Sequence, residues 1–222
     1  MKSEMEEIYK KLLEAYGAQG WWPKTPFGKK KPEYDKGNKH KAHSEKEKFE
    51  IALGAILTQN TSWKNVEKTI EGLHEKGLVD AAKLKKLPEK KLAQLIKSSG
   101  YFNQKARKIK EFLGYKGEMT REGLLSIWGI GPETADSILL YAYGQPYFVV
   151  DAYTKRIFSR LGLCGKKDGY EQVQGIFHDS LPKDPALYNE YHALIVELAK
   201  KHCKKTPECQ GCPLEKNCKK TK

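Results

Sequence analysis

A chain of 222 residues that is 39% hydrophobic and 31% charged has material for one large domain or two smaller ones around a proper core. Its 41 basic against 28 acidic residues leave a net charge of +13. That balance points to a polyanionic partner, because basic groups that neutralise phosphates release condensed counterions; a lysine-rich surface kept for solubility would give the same balance. No apolar run approaches the ~20 residues of a membrane span, and Met1–Gly17 lacks a signal-peptide core, so the expected setting is the cytoplasm, away from membrane.

Helical spacing dominates from the start. Met5, Ile8, Tyr9, Leu12, Leu13 and Tyr16 line one face of a first helix. An irregular stretch from Gly17 to about Glu45 follows, rich in Lys, Gly and Pro, yet holding Trp21-Trp22-Pro23. Glu47 to Gln59 predicts a buried helix, and Trp63, Val66, Ile70 and Leu73 another. Amphipathic pieces fall near 80–85, 88–98, 103–114 and 121–127, then long helices near 132–143 and 152–162, and two more near 169–180 and 185–203. Strand-like alternation is almost absent, so the fold class is all-α.

Two stretches carry chemistry. In Trp128-Gly129-Ile130-Gly131-Pro132 one helix ends, two glycines make a tight turn, and proline opens the next helix at its favoured first position. The exposed N–H groups there form a phosphate site that grips a nucleic-acid backbone without reading bases; an ordinary αα-turn is the plainer reading. Twenty residues on, the apolar run Tyr147–Val150 delivers Asp151 to a helix start, where alone it would be an N-cap.

The two together resemble the endonuclease III superfamily of helix–hairpin–helix DNA glycosylases, over nearly the whole chain from Phe49 to Cys218. Gly129, Gly131, Thr134 and Ala135 match the hairpin G-h-G-x-x-T-A, and Asp151 matches the catalytic aspartate. The resemblance implies double-stranded DNA containing a damaged base as partner, a monomer, and a base flipped from the stack before its glycosidic bond breaks. Asp151 would then stabilise the positive charge that develops on the sugar. Gln59 matches the residue that probes the gap left by the flipped base, and Thr134 and Lys155 join the hairpin glycines as backbone contacts. Asp136 and Tyr153 sit where family members contact the site.

Bifunctional members carry a lysine two residues past the second glycine, which attacks C1′ and forms a Schiff base. Here that position is Glu133, so the chain resembles the monofunctional branch in which water attacks. Trp21-Trp22-Pro23, the string from Phe49 to Trp63 and Gly100 to Ala106 resemble the group that includes 3-methyladenine DNA glycosylases. Trp22 and Trp63 are candidate pocket walls for a cationic N-alkylated purine. Alternatives are a bifunctional glycosylase acting on oxidised pyrimidines and a DNA-binding protein without turnover.

Cys203, Cys209, Cys212 and Cys218 have the spacing C-x5-C-x2-C-x5-C, while Cys164 stands apart. Four thiolates hold either a [4Fe–4S] cluster or zinc. The family's loop has one more residue in its first gap, and the resemblance implies the cluster, pinning Lys204, Lys205, Lys216, Lys219 and Lys220 beside DNA. The implied architecture is a six-helix domain over 46–164, a second domain from 1–45 plus 165–222, and a cleft between them.

Overall fold

In the computed structural model, residues 1–36 and 43–219 are described. Eleven α-helices appear among them: α1 Lys2–Tyr16, α2 Glu45–Leu57, α3 Trp63–Glu75, α4 Ala81–Lys86, α5 Glu89–Leu95, α6 Phe102–Gly114, α7 Arg121–Leu125, α8 Pro132–Tyr143, α9 Ala152–Leu161, α10 Tyr170–Ser180 and α11 Pro185–Lys201. The all-α expectation holds; the one β pairing among the described residues is an antiparallel bridge between Lys24 and Glu33. No helix is long and apolar enough to cross a membrane.

Helix starts follow the polar side chains that satisfy their first N–H groups. Ser44 accepts from Glu47 N while Glu47 reaches back to Ser44 N, a capping box that opens α2 two residues before the sequence pattern places it. Asp80, Thr120 and Asp184 cap α4, α7 and α11 more simply, each side chain accepting one backbone N–H of the first turn. The expected helix at 88–98 is cut short: α5 ends at Leu95 and a 3₁₀ turn, Lys97–Ser99, takes over before Gly100 with φ +69°.

The chain divides into two units. One runs through Trp22–Tyr34 and on to Gln145, and holds α2 to α8. At its centre α2 and α8 pack together, each buried on nearly every side over Glu50–Leu57 and Thr134–Ala142. The irregular segment is anchored here: Thr25 N donates to the buried carboxylate of Glu50, which His74 Nε2 also contacts at 2.8 Å. Trp22 lies against Gly54 so closely that a Cβ there would meet its indole at 3.0 Å.

The other unit joins Met1–Trp21 to the chain from Pro146 onward, bringing α1, α9, α10 and α11 together. Its core is aromatic. Phe148 stacks on Phe177 at 3.6 Å between ring centroids, and the buried Tyr188 and Tyr191 meet Phe148 edge-on. Helix α9 packs on α11, so Asp151 and its helix group with the C-terminal helices. The 46–164 division expected from the sequence places them with the hairpin instead.

Candidate active site and cysteine loop

The hairpin lies between α7 and α8. Gly129 has φ +82°, a conformation L-residues rarely adopt, and a Cβ there would collide with the Lys108 side chain at 2.6 Å. Pro132 opens α8 at its first position, as the sequence predicts. Gln59 is bound to this turn: its Nε2 donates to the Gly129 carbonyl at 3.1 Å and to Thr134 Oγ1 at 2.9 Å, and its Oε1 accepts from Lys108 Nζ. Burial pushes the Lys108 amine below its ordinary pKa. Every polar atom of the Gln59 amide head is thus engaged with the hairpin or Lys108. The neighbouring Asn60 is exposed, in the left-handed region with φ +52°. The sequence reading gave Asn60 no role; the signal was an Asn in the short link between two helices, since Asn tolerates left-handed backbone better than most residues.

Trp22 and Trp63 are brought together edge-on at 5.2 Å, and Tyr141 of α8 meets Trp22 at the same separation. Tyr141 is a third aromatic that the sequence analysis did not single out, though its place on the all-round apolar α8 was visible. Asp136 is wholly buried, and Arg121 holds it through Nε at 2.8 Å and a second nitrogen at 3.3 Å. That pair joins α7 to α8. Glu133 is exposed.

Asp151 is the N-cap of α9. Its Oδ1 accepts from Thr154 N at 2.7 Å and from Thr154 Oγ1 at 2.9 Å. The cap uses one oxygen only. Oδ2 lies 3.8 Å from Nε2 of His192 on α11, and the Asp151 side chain keeps 16% of its surface exposed. Lys155, one turn along, donates to the Asp168 carbonyl at 3.3 Å, and Tyr153 is exposed beneath the Arg156 guanidinium.

The far half of α9 holds the cysteine loop. Arg156 donates to the Cys203 carbonyl, and Arg160 to Cys203 Sγ at 3.1 Å and to the carbonyls of Lys204 and Lys205. Neither arginine was predicted; two basic residues four apart on one helix were the signal. Cys203, Cys209, Cys212 and Cys218 all line one cavity with Leu161, Leu198 and Leu214. Burial, then the other three sulfurs, push the Cys212 thiol up. Among the described residues no three or more His, Cys, Asp or Glu side chains gather closely enough for a single metal ion. Lys205, Lys216 and Lys219 are exposed, Lys204 pairs with Glu208 at 2.7 Å, and Lys220 lies outside the described residues.

The glycine-turned hairpin and the capping carboxylate stand on an all-helical frame, in the order the sequence resemblance expects. Residues 53–183 match the HhH-GPD superfamily of base excision DNA repair proteins, and the chain belongs to that superfamily. It is 44% identical to a protein of Methanocaldococcus jannaschii provisionally named a DNA repair glycosylase, over 96% of this chain and 94% of that one. Among solved structures, a non-covalent endonuclease III–DNA complex has the same fold, with a TM-score of 0.78 at 22% identity, covering 99% of this chain and 95% of that one. The Helicobacter pylori 3-methyladenine DNA glycosylase bound to 1,N6-ethenoadenine is similar with a TM-score of 0.71 at 28% identity, covering 89% and 97%. The chain is therefore an enzyme of base excision repair that hydrolyses N-glycosidic bonds.

Proposed function

We propose that this glycosylase is monofunctional, releases alkylated purines such as 3-methyladenine from double-stranded DNA, and uses Asp151 with water as the nucleophile. The observation that carries the reading is the division of labour within one carboxylate. Thr154 fixes Oδ1, while Oδ2 is left outside the cap and the group stays partly exposed. A carboxylate so held stabilises the cationic sugar of an oxocarbenium-like transition state and orients an attacking water. Glu133 supports the water route, because a carboxylate cannot form an imine with C1′. The aromatic cluster of Trp22, Trp63 edge-on to it and Tyr141 beside Trp22 suits a cationic purine better than a neutral base. With Gln59 engaged on the hairpin, the exposed Asn60 takes the role of entering the gap behind the flipped base.

The four cysteines line one cavity, and four thiolates are a donor set that would fit a [4Fe–4S] cluster. When bound, the cluster supplies structural cross-linking of the loop and no chemistry at the sugar. The chain's own part is done by Arg156 and Arg160, which fasten that loop to α9.

The test is release of free base from alkylated, deaminated and oxidised duplexes, with borohydride trapping on abasic DNA alongside. Release of 3-methyladenine and no covalent adduct are expected. A trapped adduct would return the chain to the bifunctional class, and release confined to oxidised pyrimidines would overturn the substrate reading.

A further inference from the structure

We infer that His192 is a positioning residue for base release, a neutral donor that orients the free oxygen of Asp151 toward the sugar; this rests on the reading of Asp151 above. The imidazole belongs to α11, is buried, and meets Phe148 edge-on at 6.4 Å between ring centroids. It is thus packed against the wall of the aromatic core and has little freedom to turn. Its Nε2 faces Asp151 Oδ2 at 3.8 Å, longer than a hydrogen bond. Catalytic contacts often show such slack before substrate binds and tighten in the complex.

Burying an imidazole costs free energy unless a polar partner offsets it, and beneath a capping carboxylate a leucine would pack as well. Burial pushes the His192 pKa below its ordinary value, while the Asp151 carboxylate acts the other way. The neutral ring has one N–H to offer, and the tautomer with the proton on Nε2 presents it to Oδ2. A neutral donor differs from a buried lysine or arginine in one respect that matters for the reaction. It fixes the direction of the carboxylate without cancelling the charge that stabilises the cationic sugar. Together, Thr154 on Oδ1 and His192 on Oδ2 fix the carboxylate plane from two sides, where the cap alone leaves it free to rotate about one anchored oxygen.

Three variants of the full-length protein test this in single-turnover base release at saturating enzyme, with duplex affinity and thermal melting measured in parallel. His192→Leu is expected to slow base release at least tenfold while affinity for the duplex changes less than twofold. His192→Gln, whose amide N–H reaches the same oxygen, is expected to recover most of the rate. In an Asp151→Asn background, His192→Leu is expected to add no further loss, because its effect passes through the carboxylate. Full rate in His192→Leu, with Asp151→Asn inactive, would overturn the inference while leaving Asp151 in place. A slow His192→Gln as stable as the parent would overturn it too, by showing that packing and not the donor matters. Full activity in Asp151→Asn would instead remove the reading on which both rest. If His192→Leu melts too low to assay, the Gln variant and the parent still decide the outcome.

Discussion

Helices α8 and α9 both place an aspartate near their N-termini, and the two carboxylates have opposite fates. Asp136, in the second turn of α8, is sealed from solvent and held by two nitrogens of Arg121. Asp151, one step before α9, spends a single oxygen on the cap and leaves the other at the edge of a buried imidazole. The difference is one of satisfaction. A carboxylate whose lone pairs are taken by a guanidinium fork has nothing left for a substrate. One that is only half satisfied is held in place and still available. Both residues look alike on a list of acidic groups near a glycosylase site; their partners separate them.

Substituting each aspartate by asparagine breaks the comparison if it is wrong. Asparagine is itself a good N-cap, so Asp151→Asn is expected to fold with a melting temperature close to the parent's. It should release base about a thousandfold more slowly, roughly 4 kcal/mol in activation free energy. Single-turnover assays with a melting curve on the same preparation check both halves. Asp136→Asn is expected to do the reverse. It leaves the Arg121 charge buried against a neutral amide, which costs about 3 kcal/mol of stability, while the variant molecules that remain folded keep their rate. Denaturant titration reads the first effect and rates normalised to the folded fraction read the second. A stable but inactive Asp136→Asn would place that carboxylate in the site after all.

The sequence made much of this legible, and its limits have physical causes. Gly129 and Pro132 announced the hairpin because backbone geometry with positive φ and a helix first position each select one residue type. Asp151 was visible as a cap from its place before a helix, and the four cysteines, crowded in sequence, do line one cavity. The partner of Asp136 was not legible, since Arg121 stands fifteen residues away and only the crossing of α7 and α8 joins them. His192 was hidden for the same reason: forty residues of chain separate it from Asp151. Gln59 shows a subtler limit. The family resemblance implies that Gln59 enters DNA, and only the fold reveals that the Gly129 carbonyl and Thr134 hydroxyl occupy it.

That occupancy yields the next effect in size. Removing the amide by Gln59→Ala takes two donors from the hairpin and one acceptor from Lys108. A net loss of about 1 kcal/mol for each bond to the turn is expected to appear as five- to thirtyfold weaker binding to undamaged duplex, with the base-release rate at saturation close to the parent's. Asn60→Ala is expected to show the opposite split, near-normal affinity and slower release, because it acts only once a base has left the stack. Equal behaviour of the two variants would mean that Gln59 lets go of the hairpin on DNA and enters the gap itself.

The smallest effect concerns a carboxylate at a helix start with no part in the reaction, and it calibrates the other two. Glu47 closes the capping box of α2 and pairs with Lys24 at 2.7 Å. Burial works to raise its pKa, but the Lys24 ammonium and the N–H and hydroxyl of Ser44 outweigh it and bring the carboxyl down to about 2. A carboxylate whose pKa is lowered by folding stabilises the folded state at pH above its unfolded value, and loses that contribution as pH falls toward the folded one. Glu47→Gln should therefore be less stable than the parent at pH 7 by about 0.5–1 kcal/mol, a modest figure because the pair is partly solvated. The gap should narrow between pH 4.5 and about 2, with base release unchanged at neutral pH. Chemical denaturation of both proteins across that range measures it. A constant gap down to pH 2 would mean that the glutamate acts through its shape as a capping side chain, with its charge contributing nothing.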